Sequence, residues 1–409
     1  MIAKLLAFLT IAFSTATQLR ITGLPIGVSE ACGFLFIIGQ LRRLDSYVPL
    51  IRPFGLLIVG FSLSFLVGSQ FNVWSGAPTA IDLQSYVALM YSIVFVIAFA
   101  EIARSGTDIA ALVTAACVFA TGIHIVPYFL ELAGVSSGFQ IWISGADFGD
   151  EILDEDRYTG LSTNPNQLGV LLVGTPALLF WRLRLAQKWP GRLVLGLALV
   201  ASLALIMLTK SDTLQSIVFF CLAYAIFSML GLIVDPRNKQ IVKGLKIIGS
   251  LIVGAAFLYV FLEFIESGLN KSGERTANGR FTLWKFAIKA FLRSYGLGYG
   301  PGPHVVSPEK LGGEEAHNVL LDLALQGGIL AVLTYVAFCW IIYKVSAKYA
   351  APSLRILFFC VLIHQMSHYT LRHPLAWVFL TLPAIVSVAD MRIRAKSVPA
   401  STVSSIAAR

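Results

Sequence analysis

Residues 83–103 read LQSYVALMYSIVFVIAFAEIA, an apolar run broken by one charge, Glu101. About 20 such residues suffice for a helix to cross the hydrocarbon core of a bilayer. Comparable runs follow on both sides, at roughly 2–19, 23–41, 51–70, 108–133, 164–183, 193–209, 212–234, 244–266, 317–343, 354–371 and 374–391. Lipid offers no partner for exposed backbone groups, and no alternating pattern of barrel strands is present, so these runs read as helices. The sequence predicts an all-α polytopic membrane protein of about 12 transmembrane helices, with residues 1–409 forming a single integral membrane domain.

Composition supports that reading. Hydrophobic residues make up 57% and charged residues 13% of the 409, where soluble domains carry about 25% charge. With a mean hydropathy of +0.78, disordered, fibrous and ordinary soluble classes are excluded. The net charge of +9, from 31 basic and 22 acidic residues, is expected to orient the chain in the membrane rather than to bind nucleic acid. The five cysteines all lie in apolar stretches without a CxxC pair and are expected as core or lipid-facing residues. Lys4 and the run ending near Ser14–Thr17 imitate a signal peptide, but a first span from Ile2 to about Leu19 is the expectation.

Basic residues gather on one side: Arg42, Arg43 and Arg52, then Arg104, Arg182, Arg184, Lys188 and Arg192, then Arg237, Lys239 and Lys243, then Lys344, Lys348 and the tail Arg392, Arg394 and Lys396. The positive-inside rule makes that side, with both termini, cytoplasmic. Two longer segments then face outward, 134–163 and 267–316. The first carries Asp147, Asp150, Glu151, Asp154, Glu155 and Asp156 ahead of Arg157. The second is basic, with Lys271, Arg275, Arg280, Lys285, Lys289, Arg293 and Lys310. An anionic ligand at the outer leaflet would account for it.

Within the second loop, Phe281–Arg293 places Lys285, Lys289 and Arg293 every four residues among apolar neighbours, an amphipathic interfacial helix that either snorkels or holds a ligand. Asn278-Gly279 sets Arg280 at its leading edge. The glycine run at 296–302 has no βαβ context and is not a dinucleotide site. His317 and Asn318 open the next span. His317 can exchange a proton near neutral pH or can bond a loop carbonyl, and Asn318 can cap or orient it.

In the first loop, Asn164-Pro165-Asn166 is a turn at a helix start, where free N–H groups favour an anion. Arg157 offers a planar fork for phosphate oxygens, or pairs with the nearby carboxylates. Ionisable residues inside or at the ends of spans are sparse, among them Glu30, Glu101, His124, Lys210, Asp212, His364 and His368, and such residues mark a lined cavity or an interface end. His364 and His368 share a helical face without an HExxH glutamate, so internal hydrogen bonding is expected rather than metal.

The segment RYTGLSTNPNQLG at 157–169 resembles the R-x-x-G-x-x-x-N-P-N-x-L-G segment of the O-antigen ligase and polymerase family. So does the second block: Asn278-Gly279-Arg280, Trp284, GLGYG at 296–300, AHNVLL from 316, and Gly327-Gly328. The resemblance implies a GT-C-like architecture in the bacterial inner membrane with the active site on the periplasmic side. It implies 134–163 and 267–316 as periplasmic loops, the second carrying active-site residues. It also implies an inverting, metal-independent glycosyltransferase without a cofactor, using an undecaprenyl-diphosphate-linked glycan as donor.

Residue by residue, His317 and Arg280 match the family's catalytic histidine and outer-loop arginine, and Arg157 the arginine ahead of the Asn-Pro-Asn turn. Arg157, Lys210 and Arg280 would hold the diphosphate, with Asn164, Asn166, Asn318, Lys285 and Lys289 in support. One departure stands out: many members carry Ser-x-Ser-Arg where this chain has Thr209-Lys210-Ser211-Asp212-Thr213. Lysine keeps the charge but loses the fork.

Two acceptors remain open: a lipid A-core sugar, making the protein a ligase, or a second lipid-linked unit, making it a polymerase. The compact outer loops favour the ligase and the lysine departure the polymerase. A lipid-linked glycan transporter would instead predict inverted repeats and mid-membrane charges; no repeat joins the two halves, and the polar features cluster at the outer face.

Overall fold

The computed structural model describes residues 1–20, 27–40, 48–76, 81–104, 109–135, 142–143, 157–233, 244, 277–307, 310–349 and 352–397. The predicted span at 244–266, the acidic cluster at 147–156 and residues 267–276 of the second long loop lie outside them, apart from Gly244.

The described chain is helical. In order come α1 (Ile2–Phe13), α2 (Val28–Gln40), α3 (Val48–Ser75), α4 (Leu83–Arg104), α5 (Ile109–Leu132), α6 (Pro165–Leu172), α7 (Thr175–Leu185), α8 (Trp189–Leu208) and α9 (Asp212–Ile233). They are followed by α10 (Ala277–Arg293), α11 (Val319–Tyr349), α12 (Pro352–Gln365) and α13 (Pro374–Ser397). Two short hairpins accompany them. β1 (Trp142–Ile143) pairs antiparallel with β2 (Arg157–Tyr158), and β3 (Val305–Ser307) with β4 (Lys310–Glu314).

Among the described residues, 7 helical stretches are long and apolar enough to cross a membrane, α6 and α7 together making one of them, and α1, α2, the start of α9 and α12 are shorter apolar helices. Their outward faces are rich in exposed apolar side chains. On α8, Leu193, Leu197, Val200 and Met207 form an exposed stripe, while Ala198, Ser202, Leu205 and Ile206 turn inward. Such a stripe is stable only against lipid or protein. The chain is thus a multi-pass membrane protein.

Helix contacts rely on small residues, as expected where lipid and side chains are equally apolar. The most extensive pairing is between α3 and α11. A Cβ on Gly60 would come within 2.5 Å of Thr334, and one on Gly327 within 2.6 Å of the Ser64 hydroxyl. A buried core of Phe54, Phe61, Phe95, Phe99, Phe338 and Trp377 fills the centre. The cysteines are less scattered than the sequence suggested: Cys221 on α9 and Cys360 on α12 bring their sulfurs to 3.5 Å.

Three expected spans differ in detail. The 164–183 run is two helices, α6 and α7, divided at Val173-Gly174 where Pro176 starts a new first turn. The 317–343 run continues to Tyr349 but kinks at Gly328 (φ 65°, ψ −162°). The 354–371 run ends at Gln365, so His368 sits in the turn after α12.

Candidate functional site

The block 157–163 is folded around a buried histidine. His124 on α5 is fully buried. Its Nδ1 accepts from the Leu161 amide at 3.0 Å, which leaves Nε2–H to donate to Thr15 Oγ1 at 3.0 Å. The Tyr158 hydroxyl donates to the His124 carbonyl at 2.5 Å. Gly160 has φ +58°, and a Cβ there would lie 2.5 Å from His124 Nδ1. Only glycine fits this turn. Gln18 completes the wrap, its amide donating to the Leu161 carbonyl at 3.0 Å and its side chain to that of Ser162 at 2.8 Å.

This turn delivers Arg157 to the end of α8, where its Nε donates to the Thr209 carbonyl at 2.9 Å. The next residue, Lys210, is exposed and left-handed at φ +47°. Arg157 is thereby bonded to the residue immediately before Lys210. Thr213, one turn further on, bonds the Ser367 hydroxyl at 2.9 Å.

At the start of α6, Asn164 (φ −151°) is the cap and accepts from the Gln167 amide at 3.0 Å. That amide is one of the free donors the sequence reading offered to an anion, and it is taken by the turn itself. Asn166 faces the turn after α12 instead, its Oδ1 accepting from His368 Nε2 at 3.0 Å. With Nε2 protonated, His368 Nδ1 accepts from the Ser367 hydroxyl at 2.9 Å. His364 stacks on His368 with ring centroids 4.4 Å apart. Gly169 lets α6 approach, since a Cβ there would be 3.2 Å from His364 Nε2.

The second block arrives at the same turn. Asn318 caps α11, its Oδ1 accepting from the Leu320 and Leu321 amides at 3.0 and 3.2 Å. Its Nδ2 donates to the Met366 carbonyl at 3.0 Å. His317, immediately before, is half-buried and left-handed at φ +52°. The Trp284 indole on α10 donates to the Ala316 carbonyl at 3.0 Å. Arg280 lies in the first turn of α10, one turn ahead of Trp284; its side chain is outside the described residues. Lys285 and Lys289 stand on the exposed face of α10, Lys289 over the Phe286 ring at 5.9 Å. Among the described contacts none joins these two lysines to His317.

The glycine run has a structural task. At the α11 kink, Leu325, Gln326 and Ile329 lose helical partners, and the run replaces them. Tyr299 N–H donates to the Leu325 carbonyl at 2.7 Å, Gly300 N–H to that of Gln326 at 2.8 Å, and Ile329 N–H to that of Gly296 at 2.9 Å. Backbone meets backbone so closely that a Cβ on Gly298 would lie 2.6 Å from the Gly328 nitrogen. His304 locks the run by donating Nε2–H to the Gly300 carbonyl at 2.6 Å. Burial holds the His304 imidazole down at about 4.

Arg372, between α12 and α13, is a residue the sequence reading missed. It pairs with Glu315, donates to Ser85 Oγ at 3.1 Å and covers the Tyr369 ring at 5.2 Å. The signal available was a lone cation between two apolar runs. Among the described residues, no group of three or more His, Cys, Asp or Glu side chains could hold a metal ion.

Residues 166–336 match the family model described as O-Antigen ligase. The match starts inside the Asn-Pro-Asn turn, contains Lys210, Arg280 and His317, and bears out the resemblance to the O-antigen ligase and polymerase family. No curated protein matches the chain significantly.

Proposed function

We propose that this protein is an O-antigen ligase, transferring glycan from undecaprenyl diphosphate to a lipid A-core acceptor at the periplasmic face of the bacterial inner membrane. One observation carries the reading. Two motif blocks far apart in sequence are bound to a single turn, Asn166 to His368 and Asn318 to the Met366 carbonyl. The family match supports a glycosyltransferase acting on lipid-linked glycan, and the basic residues between spans support the orientation.

In this scheme an acceptor hydroxyl oxygen attacks the anomeric carbon as the bond from that carbon to the phosphate oxygen breaks. The configuration inverts and the polyprenyl diphosphate leaves with its electron pair. His317 takes the hydroxyl proton. Arg157, Lys210 and Arg280 stabilise the charge on the departing diphosphate in a site of low dielectric. Asn318 and Asn166 support the two loops, and Lys285 and Lys289 attract the anionic membrane surface.

The test is reconstitution of the purified full chain with undecaprenyl-diphosphate-linked glycan and lipid A-core, with chelator present and His317→Ala as control. A His317-dependent shift of the lipid A-core supports the ligase. Lengthened lipid-linked glycan with untouched core identifies a polymerase, the reading that Lys210 in place of the family's arginine favours. Full transfer by His317→Ala at normal protein level overturns the site assignment.

A further inference from the structure

A carboxyl group lies almost completely buried one turn inside α11. Asp322 is 2% exposed, within the apolar run that makes this helix a membrane span. Burying a carboxyl there is costly unless its oxygens find donors. Both do. Oδ1 accepts from the Ala316 amide at 2.7 Å and Oδ2 from the Asn318 amide at 3.1 Å.

Helix capping explains only half of this arrangement: the Oδ2 bond to the Asn318 amide is that of a capping box, a first-turn side chain reaching back to the N-cap N–H, whereas the Ala316 amide lies two residues before the cap. A cap satisfies the free amides of the first turn, and those of Leu320 and Leu321 already belong to Asn318. The donors Asp322 accepts from come instead from the chain leading into the helix. They are the N–H groups of the residues on either side of His317, so the residue before it and the residue after it are both held by one carboxyl.

The residue between them needs such a hold. His317 is left-handed, with φ +52°, a backbone state disfavoured for a side chain with a Cβ and kept only when the surroundings over-determine it. The Ala316 carbonyl is held by the Trp284 indole, and the Asn318 side chain by the Met366 carbonyl. Asp322 grips both sides of His317 from inside the rigid helix.

We infer that Asp322 is a positioning residue, whose carboxyl fixes the backbone of residues 316–318 and so aims the His317 imidazole at the acceptor hydroxyl. The inference rests on the reading of His317 given above. Orientation of a reacting group contributes to the transition state rather than to substrate binding. Losing the second oxygen should therefore lower kcat and leave donor affinity intact.

The experiment uses the full chain in lipid nanodiscs, with Asp322→Asn, Asp322→Glu and His317→Ala. Asp322→Asn turns an amide nitrogen toward one of the two N–H groups. It should lower kcat about tenfold or more with the donor KM unchanged, and Asp322→Glu should recover part of the loss. Hydrogen exchange on the wild-type chain gives a reading that needs no variant to fold: the amides of Ala316 and Asn318 should exchange slowly although they precede the helix. Rapid exchange there overturns the inference, as does Asp322→Asn with wild-type kcat, or one whose loss lies in KM. If His317→Ala is inactive while Asp322→Asn is fully active, the positioning role alone fails. If His317→Ala is active, the reading of His317 fails.

Discussion

His368 Nε2 donates to Asn166 Oδ1 at 3.0 Å across 202 residues of chain. This bond fastens the Asn-Pro-Asn turn of α6 to the turn after α12, which also receives Asn318 from the start of α11. Asn166→Ala and His368→Ala should each lower the melting temperature of the purified protein. Because the two side chains share one half-buried bond, the double variant should fall short of the summed losses by about 1 kcal/mol. A double-mutant cycle from thermal melts measures this.

Arg157 and Lys210 are both cations, yet they should respond differently to conservative exchange. The Arg157 Nε–H is bound to the Thr209 carbonyl, a donor that lysine cannot place in the same fork. Arg157→Lys should lose about tenfold or more in transfer rate. Lys210→Arg restores the family's planar cation at an exposed position and should keep full activity. Initial rates with the lipid-linked donor, at matched protein levels, compare the two.

Glycine substitutions separate backbone docking from plain helix. Gly328→Ala puts a Cβ 2.1 Å from the Gly296 carbonyl oxygen, at a φ of +65°. Gly298→Ala meets the Gly328 nitrogen. Both should reduce the yield of monodisperse protein severely, since nothing in this backbone contact can yield. Gly191 and Gly196 on α8 have no atom within 4 Å of a built Cβ. Alanine there should be neutral or stabilising by about 0.5–1 kcal/mol. Size-exclusion profiles of tagged variants would show the contrast.

His304 sets a pH window. Its folded value of about 4 lies below the ordinary histidine value of 6.5, so protonation favours the unfolded chain. The stability it contributes is complete above about pH 6.5 and is lost as pH falls toward 4, by at most about 3 kcal/mol. His304→Gln keeps a donor for the Gly300 carbonyl and cannot titrate in this range. Its melting temperature should fall less steeply than that of the wild type between pH 6.5 and 4.

The membrane fold was legible because apolar runs of spanning length need no partner to be recognised: lipid itself selects them. The family blocks were legible for a related reason, since short motifs keep their spacing within one loop. Arg157 and Lys210 were singled out separately, and the bond from Arg157 to Thr209, the residue before Lys210, follows from the packing of β2 on the end of α8. The splinting of the α11 kink by the glycine run was hidden, because the broken backbone bonds belong to another helix. The thiols of Cys221 and Cys360 were likewise invisible as a pair.

By itself, then, the sequence determined how much of the chain is lipid-soluble, where basic residues collect between spans, and which two loops carry charged chemistry. These properties depend on composition and local spacing. Only the tertiary structure decided which residues hold which. His368 and Met366 receive the two blocks, Arg372 answers Glu315, and Asp322 grips the backbone around His317. Hydrogen bonds are short and directional, so they are fixed by how helices cross rather than by distance along the chain.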